Sequence, residues 1–240
     1  LTVKTGSAPT ITLQAQGRLG LNAGLNFNDT ASTLQLHSAD GFDAESAALY
    51  ARTKAAGEAA VREAAADAVI LRPSIVFGPE DDFFNRFAAM AQMSPVLPLV
   101  GGGETRFQPV FVGDLAEAVM AAVDGRANAG ATYELGGPAV KSFRELLELV
   151  LKTTQRNRLL VPLPFGLARL QAKVLQLLPK PMLTEDQVEL LKSDNVVSEA
   201  AKAEGRTLEG LGIHPQSVEA IVPSYLWRFR KHGQFAEPAR

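Results

Sequence analysis

Asp-Ala-Val-Ile-Leu-Arg-Pro-Ser-Ile-Val-Phe, residues 67–77, is the stretch on which the fold turns. A strand covered on one face alternates apolar and polar side chains. A run that is apolar at successive positions is what burial on both faces requires, as in a parallel sheet. The preceding segment, Glu45 to Ala66, is rich in alanine and reads as a helix. A helix feeding such a strand predicts a piece of a parallel α/β sheet. Gly78-Pro79 closes the run.

Working outward, Asp82 to Met93 reads as a helix and Arg106 to Val112 as a strand. Asp114, with Glu117 three residues on, has the spacing of a capping box at a helix start. Ala131 to Leu135 reads as a strand closed by Gly136-Gly137. Ser142 with Glu145, and Thr184 with Gln187, form two more capping boxes, opening helices to about Thr154 and Lys192. Glu219 to Arg230 reads as the last helix. Residues 1–37 differ in texture: rich in Thr, Ser, Asn and Gly, with a possible strand at Thr10 to Leu13. The expected organisation is an atypical leader over 1–37, a partial nucleotide-binding segment over 38–80, and a smaller α/β lobe with the remaining sheet elements over 81–240.

Composition narrows the function classes. The chain has 240 residues and a formal net charge of -2, so nothing points to nucleic acid as a partner. It has no cysteine, which removes disulfides, thiol catalysis and cysteine metal sites. Its three histidines, His37, His214 and His232, form no zinc-binding pattern. No stretch has the length and apolarity of a membrane span. The first 37 residues predict neither a signal peptide nor a transit peptide.

The candidate chemistry lies just upstream of the buried strand, in YARTKAAGE, residues 50–58. Tyr50 and Lys54 are four apart, so on a helix they share one face. Such a pair can be two unrelated surface residues, or a phenol and an ammonium that share a proton or grip a ribose. Ser38 lies twelve residues before Tyr50, and Arg72-Pro73-Ser74 follows at the carboxyl end of the predicted strand. In open α/β sheets ligands bind outside the carboxyl ends of the strands, so a helix face and a strand end can converge on one ligand.

This combination resembles the short-chain dehydrogenase/reductase superfamily, in its extended or atypical branch. The resemblance implies that Ser38, Tyr50 and Lys54 are catalytic. It also implies that Tyr50, Lys54, Arg72, Pro73, Ser74 and Val76 line the nicotinamide end of NAD or NADP. An ammonium beside a phenol favours phenolate and can also hydrogen-bond ribose hydroxyls. The phenol then passes a proton to or from a substrate oxygen, which Ser38 would hydrogen-bond. The stretches LRPSIVFGPEDDFFNRF, RFQPVFVGDLAEAV, LTEDQVELLKSDNVVS and LGIHPQSVEAIVPSYLWRFR are similar to one subgroup. That subgroup is the alpha-subcomplex subunit 9 family of NADH:ubiquinone oxidoreductase, a dehydrogenase-like accessory subunit of respiratory complex I. It implies a structural dinucleotide, complex I subunits as partners, and a peripheral place on the cytoplasmic or matrix face of the inner membrane. A working epimerase, dehydratase or reductase on a sugar or isoprenoid-like substrate is the other function the superfamily implies.

One departure stands out. The family opens with strand, GxxGxxG and helix, the pyrophosphate lying over the helix N-terminus. Gly17, Gly20 and Gly24 are the nearest candidates, but Gly24 lies only fourteen residues before Ser38. A βαβ unit needs about 30 residues, so these glycines read as a decoy. The expectation is a Rossmann-like sheet lacking its usual first half, with an exposed edge, from a truncated product or a chain that no longer holds a dinucleotide.

Other residues carry two readings each. Arg72 could touch phosphate or ribose, or be a strand-end charge. Asp81 and Asp82 suit a helix dipole better than acid/base work. Gly101-Gly102-Gly103 reads as a turn. Leu159 to Leu178 is apolar with Arg169 and Lys173 on it, and either packs in the small lobe or lies on a membrane or membrane subunit. The basic, aromatic end around Trp227 to Lys231 either docks on a partner or anionic lipid, or is a solvated helix with buried aromatics.

Overall fold

The computed structural model describes residues 48–175 and 184–231, together with the backbone of three short strands before them. These strands are β1 (Thr2–Val3), β2 (Ile11–Leu13) and β3 (Leu34–Leu36). Helix α1 (Leu49–Ala64) leads into β4 (Val69–Pro73) and β5 (Val76–Phe77). Next come α2 (Phe83–Met93), β6 (Val96–Val100), β7 (Arg106–Phe107) and β8 (Val110–Phe111). Helix α3 (Val112–Val123), β9 (Thr132–Leu135), β10 (Lys141–Ser142) and α4 (Phe143–Thr154) follow. The remainder is β11 (Leu159–Leu163), α5 (Phe165–Leu175), α6 (Glu185–Leu190), α7 (Glu199–Ala203), α8 (Val218–Ile221) and α9 (Pro223–Leu226).

The fold is α/β and Rossmann-like. The main sheet runs β1-β2-β3-β4-β9, parallel except for the antiparallel β1–β2 pair. The exposed edge expected beside the buried strand is absent at β4. Leu34 stands opposite Val69 and Leu36 opposite Leu71, so β3 pairs one side of β4 while β9 pairs the other. Alternation along β4 sorts its side chains. Val69 and Leu71 join Tyr133 and Leu135 of β9 against Leu115, Ala118 and Val119 of α3. Arg72, on the opposite parity, reaches α1.

The run 67–77 is two strands rather than one. Beyond Pro73, which has no N–H to give to a ladder, Ser74 N donates to Leu135 O and Ser74 Oγ to Asn195 O. This turn redirects the chain, and β5 pairs in parallel with β8 outside the main sheet.

A second core holds the smaller lobe together. Phe77 and Phe84 pack there with α4, whose Phe143, Leu146, Leu147 and Val150 fall at helical spacing, and with Tyr225 and Leu226. The boxes at Ser142 and Thr184 form in full. The one read at Asp114 does not. Strand β8 passes directly into α3 with Phe111 at the cap, and the buried Asp114 carboxylate instead accepts from Gln216 N at 2.7 Å. Asp81, rather than Asp82, caps α2, accepting from Phe84 N at 2.5 Å and Asn85 N at 3.3 Å. That is the dipole role.

Prolines shape the rest. The expected helix at Glu219 to Arg230 is two short helices and a 3-10 turn at Trp227–Phe229, because Pro223 starts a new helix. The apolar Leu159 to Leu178 segment divides at Pro164 into β11 and α5. Gly101–Gly103 is a tight 3-10 turn with positive φ at all three residues. Among the described residues, no helix is long and apolar enough to cross a membrane.

Candidate functional site

Helix α1 buries Ala51, Lys54 and Glu58, a stripe at i, i+3 and i+7 that carries two charges inward. Tyr50 is half-buried in the first turn, and Lys54 lies one turn on, only 9% exposed. The Lys54 Nζ sits 5.3 Å from the centroid of the Tyr50 ring. At that distance the ring's negative face attracts the ammonium. Burial pushes the Lys54 pKa below its ordinary value of 10.5. Desolvation does this by disfavouring the charged form.

One further turn along the same face, Glu58 accepts from Arg72 Nε at 3.0 Å and from Arg72 NH2 at 2.6 Å. This two-pronged pair ties the Tyr50–Lys54 face of α1 to the carboxyl end of β4. It also gives Arg72 a definite partner where the sequence left two roles open. Pro73, the next residue, is buried at the strand end. The Ser74 hydroxyl is buried and bound to the Asn195 backbone. Val76 is half-buried in β5. Ser38 lies outside the described residues, as do Gly17, Gly20 and Gly24.

The N-cap residue of α1, Ala48, makes no side-chain cap hydrogen bond, and the first turn contains no acidic residue. The Asp186 carboxylate in the first turn of α6 takes that place, accepting from Leu49 N at 2.6 Å and Tyr50 N at 3.1 Å. Asp186 and Glu58 are the residues that sequence reasoning passed over. Glu58 was visible in principle, because Tyr50, Lys54 and Glu58 repeat at four-residue intervals. Asp186 carried no local signal beyond its place in a capping box. Among the described residues, no three His, Cys, Asp or Glu side chains gather closely enough to hold a metal ion.

Helix α1 thus carries an ammonium over a phenol and is tied through Glu58 to Arg72 of β4, within a Rossmann-like α/β fold. Residues 43–177 match the RmlD substrate binding domain, and the chain belongs to that family. Over 192 residues it is 36% identical to NADH dehydrogenase (ubiquinone) 1 alpha subcomplex subunit 9, mitochondrial, of Arabidopsis thaliana, a match covering 76% of this chain and 47% of that protein. The mouse protein of the same name is 33% identical over 183 residues, 75% of this chain and 47% of its own length. The chain thus spans about half the length of these curated relatives. The dTDP-glucose 4,6-dehydratase of Bacillus anthracis, solved in complex with NAD, shares the fold with a TM-score of 0.57 at 14% identity, covering 83% of this chain and 61% of that one.

Proposed function

We propose that this chain binds a nicotinamide dinucleotide, NAD or NADP, with the nicotinamide ribose against Tyr50 and Lys54, and serves as an accessory subunit of respiratory complex I. The observation that carries this reading is the buried Lys54 ammonium over the Tyr50 ring, on the helix face that Glu58 and Arg72 fasten to the end of β4. The donor set fits that end of the cofactor. Lysine supplies up to three N–H donors and tyrosine a hydroxyl, the groups a ribose diol needs. Buried Pro73 ends the strand to which Glu58 and Arg72 fasten that helix. When bound, a nicotinamide ring can accept or release hydride, but in an accessory subunit it serves to order the fold. The likeness to complex I subunits from a plant and an animal supports the partner assignment. Exposed Leu159, Val161, Leu167 and Leu170 are consistent with a peripheral contact to the membrane or a membrane subunit.

Titrating the chain with NADH and NADPH tests the reading by the change in nicotinamide fluorescence. Saturable binding that Lys54→Met weakens supports it. Binding unaffected by Lys54→Met, or no binding of either nucleotide, overturns it.

A second reading rests on the substrate-binding family match. Here Tyr50 exchanges a proton with a substrate oxygen, Lys54 favours the phenolate, and Ser38 hydrogen-bonds the substrate, as in an epimerase, dehydratase or reductase. NAD(P)H turnover on a nucleotide sugar that is lost in Tyr50→Phe would favour it. Unchanged turnover in that variant would exclude Tyr50 from the chemistry.

A further inference from the structure

The segment LTEDQVELLKSDNVVS, which resembles the complex I-like subgroup, lies far in sequence from the helix that carries the Tyr50–Lys54 face. Its Asp186 does reach the helix that carries that face. The carboxylate spans two successive amides at the start of α1, from a residue 137 positions away from Leu49 and 136 away from Tyr50. Helix first-turn amides have no partner within their own helix and carry the positive end of its dipole. A carboxylate there makes charge-assisted bonds to both. Asp186 is itself held firmly. Thr184 and Gln187 close a capping box around it. On the same turn, Glu185 pairs with Arg169 of α5 at 3.1 Å, and Val188 is buried against Ala168 and Ala172. One carboxylate thus joins the α5–α6 unit to the residue whose ring lies beneath Lys54.

We propose that Asp186 is the positioning residue of the Tyr50–Lys54 pair. It fastens the first turn of α1 to the α5–α6 unit, so that dinucleotide binding and docking of that unit reinforce each other. This rests on the dinucleotide reading above. The physical step is short. Tyr50 lies in the first turn, where an uncapped helix frays. A frayed turn takes the phenol away from the ammonium. Binding to a protein that spends part of its time frayed is weakened in proportion to the competent fraction. By linkage, bound nucleotide protects the same turn by the same factor.

The experiment uses the whole chain, with NADH and NADPH as probes and amide hydrogen exchange as a second readout. Asp186→Ala is expected to weaken nucleotide binding about tenfold, the effect of losing a strong cap, and to speed exchange at Leu49 and Tyr50 in the free protein. Asp186→Asn keeps one acceptor oxygen and is expected to fall between wild type and Asp186→Ala in both measurements. Glu189→Gln, which removes another α6 carboxylate, one paired with Lys192, is expected to change neither. A merely structural role would lower the Tm of Asp186→Ala and leave its nucleotide affinity at 25 °C unchanged, which would overturn the proposal. Exchange at Leu49 and Tyr50 unaltered by Asp186→Ala would overturn it too. A wild-type chain that binds no nucleotide would overturn the functional reading and this coupling together. Wild-type binding with an unaffected Asp186→Ala would overturn the coupling alone.

Discussion

Glu58 and Arg72 meet in a two-pronged ion pair, at 3.0 and 2.6 Å, with the glutamate side chain only 9% exposed and the arginine 27%. The pair joins α1 to β4 at the level of the candidate site. Removing one partner of a buried pair strands the other charge. Because Arg72 keeps some solvent, the expected loss for Glu58→Ala is about 2–3 kcal/mol, below the value for a fully buried pair. Urea denaturation of Glu58→Ala, Arg72→Met and the double variant measures it. The double variant is expected to be much more stable than the summed single losses imply.

The α4 box gives a pH-dependent prediction. Glu145 accepts from both Ser142 N and Ser142 Oγ, and these bonds hold its pKa below the ordinary 4.5. A depressed carboxylate stabilises the fold above its unfolded pKa, and that contribution is lost as pH falls through the folded one. The stability deficit of Glu145→Ala is therefore expected at pH 7 and should shrink below pH 4.5. Ser142→Ala, which removes the cap itself, is expected to cost about 1 kcal/mol. Denaturation midpoints across the acid range check both. A Glu145→Ala deficit that stays constant down to the lowest pH would contradict the account.

A third prediction concerns the clasp between the C-terminal turn and α2. Tyr225 Oη donates to Asp81 Oδ2 at 2.6 Å, and burial together with the aspartate raises the phenol's pKa well above its usual 10.0. Tyr225→Phe removes one donor from a buried carboxylate, an expected loss of about 1–2 kcal/mol. Difference spectrophotometric titration of folded wild type against Tyr225→Phe should show no phenol ionising at pH 10 that the variant lacks, whereas the unfolded chains should differ by one phenol.

Gly137 supplies a steric test. A Cβ at this position would meet the Pro109 carbonyl oxygen, which is backbone and cannot swing away. Gly137→Ala is expected to destabilise by about 2 kcal/mol or more. Gly125 has open space around a Cβ but a positive φ of 74°. Gly125→Ala should therefore show only the smaller conformational penalty. Thermal unfolding of the pair separates the two causes.

What the sequence made legible follows from how local each signal is. Strand β4 was visible because Val69, Ile70 and Leu71 are apolar in succession, and the caps of α4 and α6 because each box closes within four residues. The break after Pro73 was not visible, because the Asn195 carbonyl that holds Ser74 lies 121 residues away. Asp114 has the local spacing of a cap, but Gln216, from a distant loop, claims its carboxylate. At the site, the Tyr50–Lys54 pairing was legible from a four-residue interval. Its fastening to Asp186 and to Arg72 depends on chain crossings that no local pattern records.

The central claim is that the Tyr50–Lys54 face holds a nicotinamide ribose, and nucleotide content tests it most directly. Gently purified chain is denatured, and the released nucleotide is quantified by mass spectrometry for wild type and for Lys54→Met of equal secondary structure. The account predicts NAD or NADP in near-stoichiometric amount with wild type and a marked loss with Lys54→Met. Equal nucleotide in both proteins, or none in either, would contradict it.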